Sequence, residues 1–192
     1  RDLHSFPTRR SSDLDVLWKR AEKGLLTILT PHEGEFHYLG GEPAAGRETA
    51  ALNFAQEYGC ILVLKGPGTV TALPDGSCYV NTTGNNGMAK GGSGDVLGGM
   101  ILGMLGQMVA AHKHDGRYTG NSIRTEAIEQ AQEDSLFLKE AGHMTALAVY
   151  LHGLAGDLAR TELGEYGMLP SDLTARIPAA ILEVQKNQSH HF

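Results

Sequence analysis

The chain predicts a layered α/β fold, on two observations. Cys60–Leu64, CILVL, is a continuous apolar run of the kind that forms a strand buried on both faces. Short strand candidates alternate with helical stretches along the chain. A glycine-rich segment, Gly84–Gly94, then feeds directly into a long apolar helical stretch, the layout of an anion-binding loop.

The elements follow in order. Arg1–Leu14, RDLHSFPTRRSSDL, has no hydrophobic period and no apolar core of a signal peptide. It reads as a non-native or disordered tail, which leaves residues 15–192 for the folded part. Asp15–Lys23 is a short helix feeding the strand candidate Leu25–Leu29. Thr30-Pro31-His32-Glu33 then suits a helix start, with Thr30 as N-cap, Pro31 at N1 and Glu33 closing a capping box. Gly46–Tyr58 is an amphipathic helix, and strand Cys60–Leu64 follows it.

Lys65–Thr69 makes a sharp turn. Thr69–Leu73 and Ser77–Val80 flank Pro74-Asp75-Gly76 as a hairpin. Asp95–Ala111 is a buried helix, and Met144–Arg160 a second apolar one. Between them, residues 112–140 turn polar and read as a surface insertion, with a weakly helical piece at 126–139. Asp172–Lys186 is a last amphipathic helix with a break near Pro178. Three or four strands are few for a sheet buried on both faces, so the count predicts further N-terminal βα units outside this sequence.

Composition excludes several function classes. A length of 192 residues suits one domain with a sizeable core. A net charge of −6 offers no broad basic footprint, and 6% aromatic residues offer no stacking platform, so nucleic acid is not an expected partner. Cys60 and Cys78 lack metal-ligand spacing and read as buried thiols in a reducing compartment, an expectation of a cytoplasmic protein. Val96–Ala111 falls short of the roughly 20 apolar residues of a membrane span, so no membrane partner is expected.

The glycine loop carries the chemistry. Seven glycines fall within the sixteen residues Gly84–Gly99. Glycine adopts positive φ and admits close approach to the backbone, at an entropic cost. Gly91-Gly92-Ser93-Gly94 leads into a helix N-terminus, whose unpaired amides and positive dipole end favour an anion, and Asp95 stands in the first turn. No GxxxxGK[ST] occurs, and Gly92-Ser93-Gly94 lacks the third glycine of a dinucleotide fingerprint. A tight turn with Asp95 balancing the dipole is the bland alternative, and the length of the glycine run weighs against it.

Thr30-Pro-His-Glu-Gly-Glu-Phe36, Val63-Leu-Lys-Gly-Pro-Gly-Thr69 and Gly84-Asn-Asn-Gly-Met-Ala-Lys-Gly-Gly-Ser-Gly-Asp-Val-Leu97 occur in this order, followed by Ala148-Val-Tyr-Leu-His-Gly-Leu-Ala-Gly-Asp157 and Leu169-Pro-Ser-Asp-Leu173. Together they resemble the ADP/ATP-dependent NAD(P)H-hydrate dehydratases, a family with a ribokinase-like three-layer α/β/α fold. The resemblance implies repair of a damaged cofactor: the S epimer of NADHX or NADPHX is dehydrated to NADH or NADPH, driven by ADP or ATP with Mg²⁺. Phosphorylation of the hydrate hydroxyl followed by elimination of phosphate is the implied chemistry.

By the same resemblance, Asp95 contacts the hydrate and acts as base on its hydroxyl, and Gly94 contacts the nucleotide. Lys65, Gly66, Pro67, Gly68 and Thr69 form the nucleotide-binding turn. His32 binds the substrate, its alternative being a helix-start residue without a ligand. The amides of Gly91, Gly92, Ser93 and Gly94 would stabilise charge on the transferred phosphoryl group. Glu33 and Glu35 stay ambiguous, since capping accounts for Glu33. A homo-oligomer and a functional link to an NAD(P)HX epimerase are also implied.

His112, His114 and Asp115 read as a solvated loop rather than a metal site, and His152 as a satisfied core histidine. Two other readings stay open: a different ribokinase-like small-alcohol kinase, against which the TPHxGE motif weighs, and an inactive fragment.

Overall fold

The computed structural model describes residues 11–42, 46–114 and 127–188. The chain divides into two compact units, Arg1–Val80 and Asn81–Phe192, taken here in turn.

The first unit is a four-stranded sheet with helices packed on it. Its elements are α1 (Ser11–Ala21), β1 (Ile28–Leu29), α2 (Glu33–Tyr38), α3 (Arg47–Tyr58), β2 (Ile61–Leu64), β3 (Val70–Ala72) and β4 (Cys78–Val80). Strand order is β1-β2-β3-β4. β1 runs parallel to β2, with Ile28 opposite Ile61, whereas β2, β3 and β4 are antiparallel. The Pro74-Asp75-Gly76 hairpin forms as expected; Asp75 accepts the Ser77 N–H at 2.8 Å, the local bond that makes Asp a turn residue.

All four β2 residues are buried, as a continuous apolar run requires. Leu62 and Leu64 meet a core that contains Phe36, Ala51, Phe54 and Ala55. α1 begins at Ser11, inside the stretch set aside as a tail, and its Leu14 and Leu17 are buried in that same core. The Trp18 ring stacks on Tyr58 at 5.3 Å and its Nε1 donates to the Glu57 carbonyl at 2.8 Å.

Helix α2 starts two residues later than its sequence suggests. His32, not Thr30, is the N-cap, and Glu35, not Glu33, closes the capping box. Non-local bonding is the reason. Pro31 accepts the Lys65 N–H at 2.8 Å and His32 bridges Lys65, so the chain stays extended beside β2 until His32.

The second unit is helical: α4 (Ser93–His114), α5 (Ala127–Gly167, interrupted at Gly164 with φ +66°) and α6 (Pro170–Gln188), preceded by a loop with a 3-10 turn at Asn86–Met88. Leu151, Ala155 and Ala180 form one core cluster with Met100, Met104 and Ile177; Ala159, Met168 and Leu173 form another with Met88 and Val96. α5 joins the expected second apolar helix to the weakly helical piece before it, so residues 127–140 belong to a long helix rather than a surface loop. Residues 115–126 of the expected insertion, Asp115 among them, lie outside the described residues. α6 continues through Pro178 without the expected break.

α4 also differs from expectation. At 22 residues it has the length and apolar composition of a membrane span, where its apolar core alone fell short. It is not a fully buried core helix either. Leu97, Ile101 and Met108 are buried, while Leu102 is 73% exposed.

Candidate functional site

In the first unit the TPHxGE segment and the Lys65–Thr69 turn come together. His32 Nδ1 accepts the Glu35 N–H at 3.0 Å, and the Glu35 carboxylate accepts the His32 N–H at 2.7 Å. An accepting Nδ1 is unprotonated, which puts the proton of the neutral ring on Nε2, a donor on an exposed side chain. His32 therefore caps α2 and still offers a donor. The His32 N–H bond, joined by the charge of Lys65, holds the Glu35 carboxyl below the usual carboxylate range against the opposing effect of burial. Lys65 Nζ lies 3.6 Å from Glu35 Oε2. An open cleft of about 400 Å³ adjoins them, lined by Leu29, Thr30, Pro31, Glu35, Tyr38 and Leu39, a volume within the usual range for a small-molecule site.

The turn itself depends on glycine. Gly66 and Gly68 have φ of +149° and +61°, conformations that side-chain-bearing residues rarely adopt. Thr69 Oγ1 closes the turn by donating to the Gly66 carbonyl at 2.9 Å.

Sequence reasoning missed Arg47, which braces this turn. Its guanidinium donates to the carbonyls of Leu64 and Lys65 at 3.2 Å each, and to that of Pro67. Its Nε also lies 3.1 Å from Glu33 Oε1, an ion pair by distance without hydrogen-bond alignment. Glu33 thus serves Arg47 rather than the helix cap. One signal was available: Arg47 is the first residue of α3, where the helix dipole disfavours a cation unless something else holds it.

In the second unit the glycine loop lies along α5. Gly84 N–H and Asn85 Nδ2 donate to the two carboxylate oxygens of Asp157 at 2.8 and 2.9 Å. Thr83 Oγ1 donates to the Tyr150 carbonyl at 2.8 Å. Lys90 Nζ donates to the carbonyls of Tyr166 and Met168, around the C-terminal end of α5. Gly92 (φ +97°) sits against Pro170, and Gly91 has open space where a side chain would stand.

α4 starts at Ser93, and Asp95 is exposed in its first turn. Not every amide of the expected anion hole is free. The Ser93 N–H donates to the Lys90 carbonyl at 3.2 Å, and the Asp95 N–H to that of Gly92 at 3.1 Å. The Ser93 amide thus builds the turn.

His152 is buried, as expected of a core histidine, but it is not satisfied: its Nε2 has no hydrogen-bond partner. Burial lowers its pKa, with the backbone of Ser93 pulling the other way. His112 is no free loop residue either; on the last turn of α4, its Nε2 lies 2.9 Å from Glu140 Oε2. Among the described residues no group of three or more His, Cys, Asp or Glu side chains could hold a metal ion. Cys60 and Cys78 are free, and burial pushes the Cys60 thiol up to about 12.

Similarity to known proteins extends over both units of the chain. The chain is 36% identical over 163 residues to the bifunctional NAD(P)H-hydrate repair enzyme Nnr of Moorella thermoacetica, covering 83% of this chain and 25% of that protein. The crystal structure of the ADP/ATP-dependent NAD(P)H-hydrate dehydratase from Bacillus subtilis, co-crystallised with ATP/Mg²⁺, is similar with a TM-score of 0.60 at 34% identity. It covers 82% of this chain, which spans about half (48%) of that one. A ribokinase-like superfamily protein of Enterococcus faecalis, at 24% identity and a TM-score of 0.56, shares the fold alone. The architecture is thus α/β and ribokinase-like. With a model of the NAD(P)H-hydrate dehydratase family matching residues 12–179, both apolar strand and glycine loop included, the chain belongs to that family.

Proposed function

We propose that this chain takes part in the nucleotide-driven dehydration of the S epimer of NAD(P)HX to NAD(P)H, with Asp95 as base. The observation that carries the reading is an exposed carboxylate in the first turn of α4, directly after a glycine turn anchored to α5 and α6. Such a carboxylate can accept the hydrate's hydroxyl proton as that oxygen attacks phosphorus. The positive end of α4 and the Gly94 amide favour the charge that gathers on the phosphoryl oxygens.

The Lys65–Thr69 turn fits a nucleotide. Two glycines at positive φ keep its backbone bare, and Lys65 is a cation held at its edge. ADP or ATP, when bound, supplies the phosphoryl group that converts a poor leaving group into a good one. Mg²⁺ belongs with the nucleotide phosphates in this reading, and no protein ligand is assigned to it. His32 offers Nε2–H to polar groups of the dinucleotide substrate.

The reading also places the protein in the cytoplasm, as a homo-oligomer working beside an NAD(P)HX epimerase. The bifunctional repair name of the Moorella relative supports that last link.

The test is recovery of NADH from chemically prepared NADHX by this chain with ADP or ATP, and with Asp95→Ala as control. Recovery that vanishes in the variant, while the variant still binds nucleotide, supports the reading. A folded wild type that binds nucleotide and recovers no NADH with either donor overturns it, and phosphorylation of a small alcohol becomes the activity to assay.

A further inference from the structure

The loop that leads to Asp95 is not held by its own turns alone. Asp157, on α5, accepts from the Gly84 N–H and from Asn85 Nδ2, and Asn85 Oδ1 in turn accepts the Gly87 N–H at 3.1 Å. Three donors and three acceptors are matched, and the direction of every bond follows from one carboxylate facing one amide. Bonds to an ionised acceptor are the stronger kind.

The surface beneath is cut to suit. A Cβ on Gly153 would lie 2.2 Å from Thr83 Oγ1, and one on Gly156 would lie 2.3 Å from the Met88 sulfur, so two missing side chains let the loop lie flat on α5. Downstream, Lys90 is fixed at the end of α5 and Gly92 rests on Pro170. Between these fixed points and Asp95 lies only the glycine turn, whose Gly91 touches nothing where a side chain would stand.

We propose that Asp157 and Asn85 are a positioning pair that sets where the Gly91–Gly94 turn, and therefore Asp95, stands. Neither residue is assigned contact with substrate. The inference rests on the reading of Asp95 as base.

The pair has a defined polarity, which makes it testable by exchange. D157N sets an amide NH₂ against either the Gly84 N–H or the Asn85 NH₂. N85D sets two carboxylates against each other. The double variant N85D/D157N restores every match with the polarity reversed. The carboxylate at position 85 then accepts from the Gly87 N–H and from the amide at position 157, whose oxygen accepts from the Gly84 N–H.

The experiment measures NADH recovery from NADHX with ADP, and hydrogen exchange of amides 84–95, for the wild type, both single variants and the double variant. Each single variant is expected to lower kcat by about tenfold to a hundredfold, the size of effect a small misplacement produces. Its KM for ADP changes less than kcat, since among the proposed nucleotide contacts only that of Gly94 lies on the disturbed turn, while the Lys65–Thr69 turn keeps its own bonds. Exchange in 84–95 speeds up, and the double variant restores both rate and protection.

The inference is overturned if D157N leaves kcat and exchange unchanged, if exchange loosens without loss of kcat, or if the double variant is as impaired as the singles. Should the wild type recover no NADH with ADP, nor with ATP in its place, the dehydratase reading falls by itself. The exchange pattern across the four proteins then decides the pairing.

Discussion

The Arg47 guanidinium lies 3.1 Å from the Glu33 carboxylate while it donates to the carbonyls of Leu64, Lys65 and Pro67. One side chain on α3 thereby joins the helix of the TPHxGE segment to the Lys65–Thr69 turn. Arg47→Ala is expected to destabilise the protein by about 1–3 kcal/mol, the usual cost of orphaning bonded backbone carbonyls, and to weaken ADP binding. Arg47→Lys recovers little of this, because an ammonium cannot reproduce the planar fork. Urea unfolding and an ADP titration of the two variants check both statements.

The two loop-facing glycines of α5 are predicted to differ. At Gly153 a Cβ meets the Thr83 backbone at 2.7 Å as well as its Oγ1, whereas at Gly156 it meets only atoms of the flexible Met88 side chain. Gly153→Ala should cost about 1–3 kcal/mol through overpacking. Gly156→Ala should cost clearly less, since Met88 can move and alanine favours the helix by about 1 kcal/mol. Thermal melts of the pair test the order; equal losses would contradict it.

Glu35 gives a pH dependence of defined sign. Its folded carboxyl is held below the usual carboxylate range, chiefly by the His32 N–H. The stability it contributes is present above the unfolded value and is lost as pH falls through that range to the lowered folded value. Glu35→Gln is expected to flatten this part of the stability profile. The difference between wild-type and variant urea midpoints from pH 7 down to about pH 3 measures it.

His152 acts at higher pH. Burial lowers its folded pKa, so the unfolded chain takes up a proton first. The stability at stake is intact above about 6.5 and declines as pH falls through that unfolded value toward the lowered folded one. His152→Gln should remove this decline. Urea unfolding at pH 8 and pH 5.5 will show a smaller wild-type-minus-variant difference at the lower pH.

What the sequence disclosed was local. Ile61–Leu64 is apolar at every position and forms an interior strand; Pro74-Asp75-Gly76 holds its own turn; Gly84–Gly94 shows in its composition. What it hid depends on partners far along the chain. Thr30 looks like an N-cap by every local rule, yet the Lys65 N–H claims the Pro31 carbonyl and moves the cap to His32. Arg47 reads as an ordinary helix residue until the Pro67 carbonyl, twenty positions away, is seen to need it. The polar stretch before Met144 looks like loop because its helical period is weak, and from residue 127 it runs on into α5 as one helix.

Lys90 has a further consequence. Its ammonium is committed to the carbonyls of Tyr166 and Met168, past the break in α5 at Gly164, so this cation of the glycine loop ties down the connection to α6 rather than meeting a visitor. What the loop then presents next to Asp95 is backbone rather than that mobile charge. Fixed amides reward a guest whose oxygens sit at the right angles and give little to one that is merely negative. In the proposed reaction, selection at this end of α4 would then be by shape, telling a tetrahedral phosphoryl group from a chloride or a flat carboxylate of similar charge.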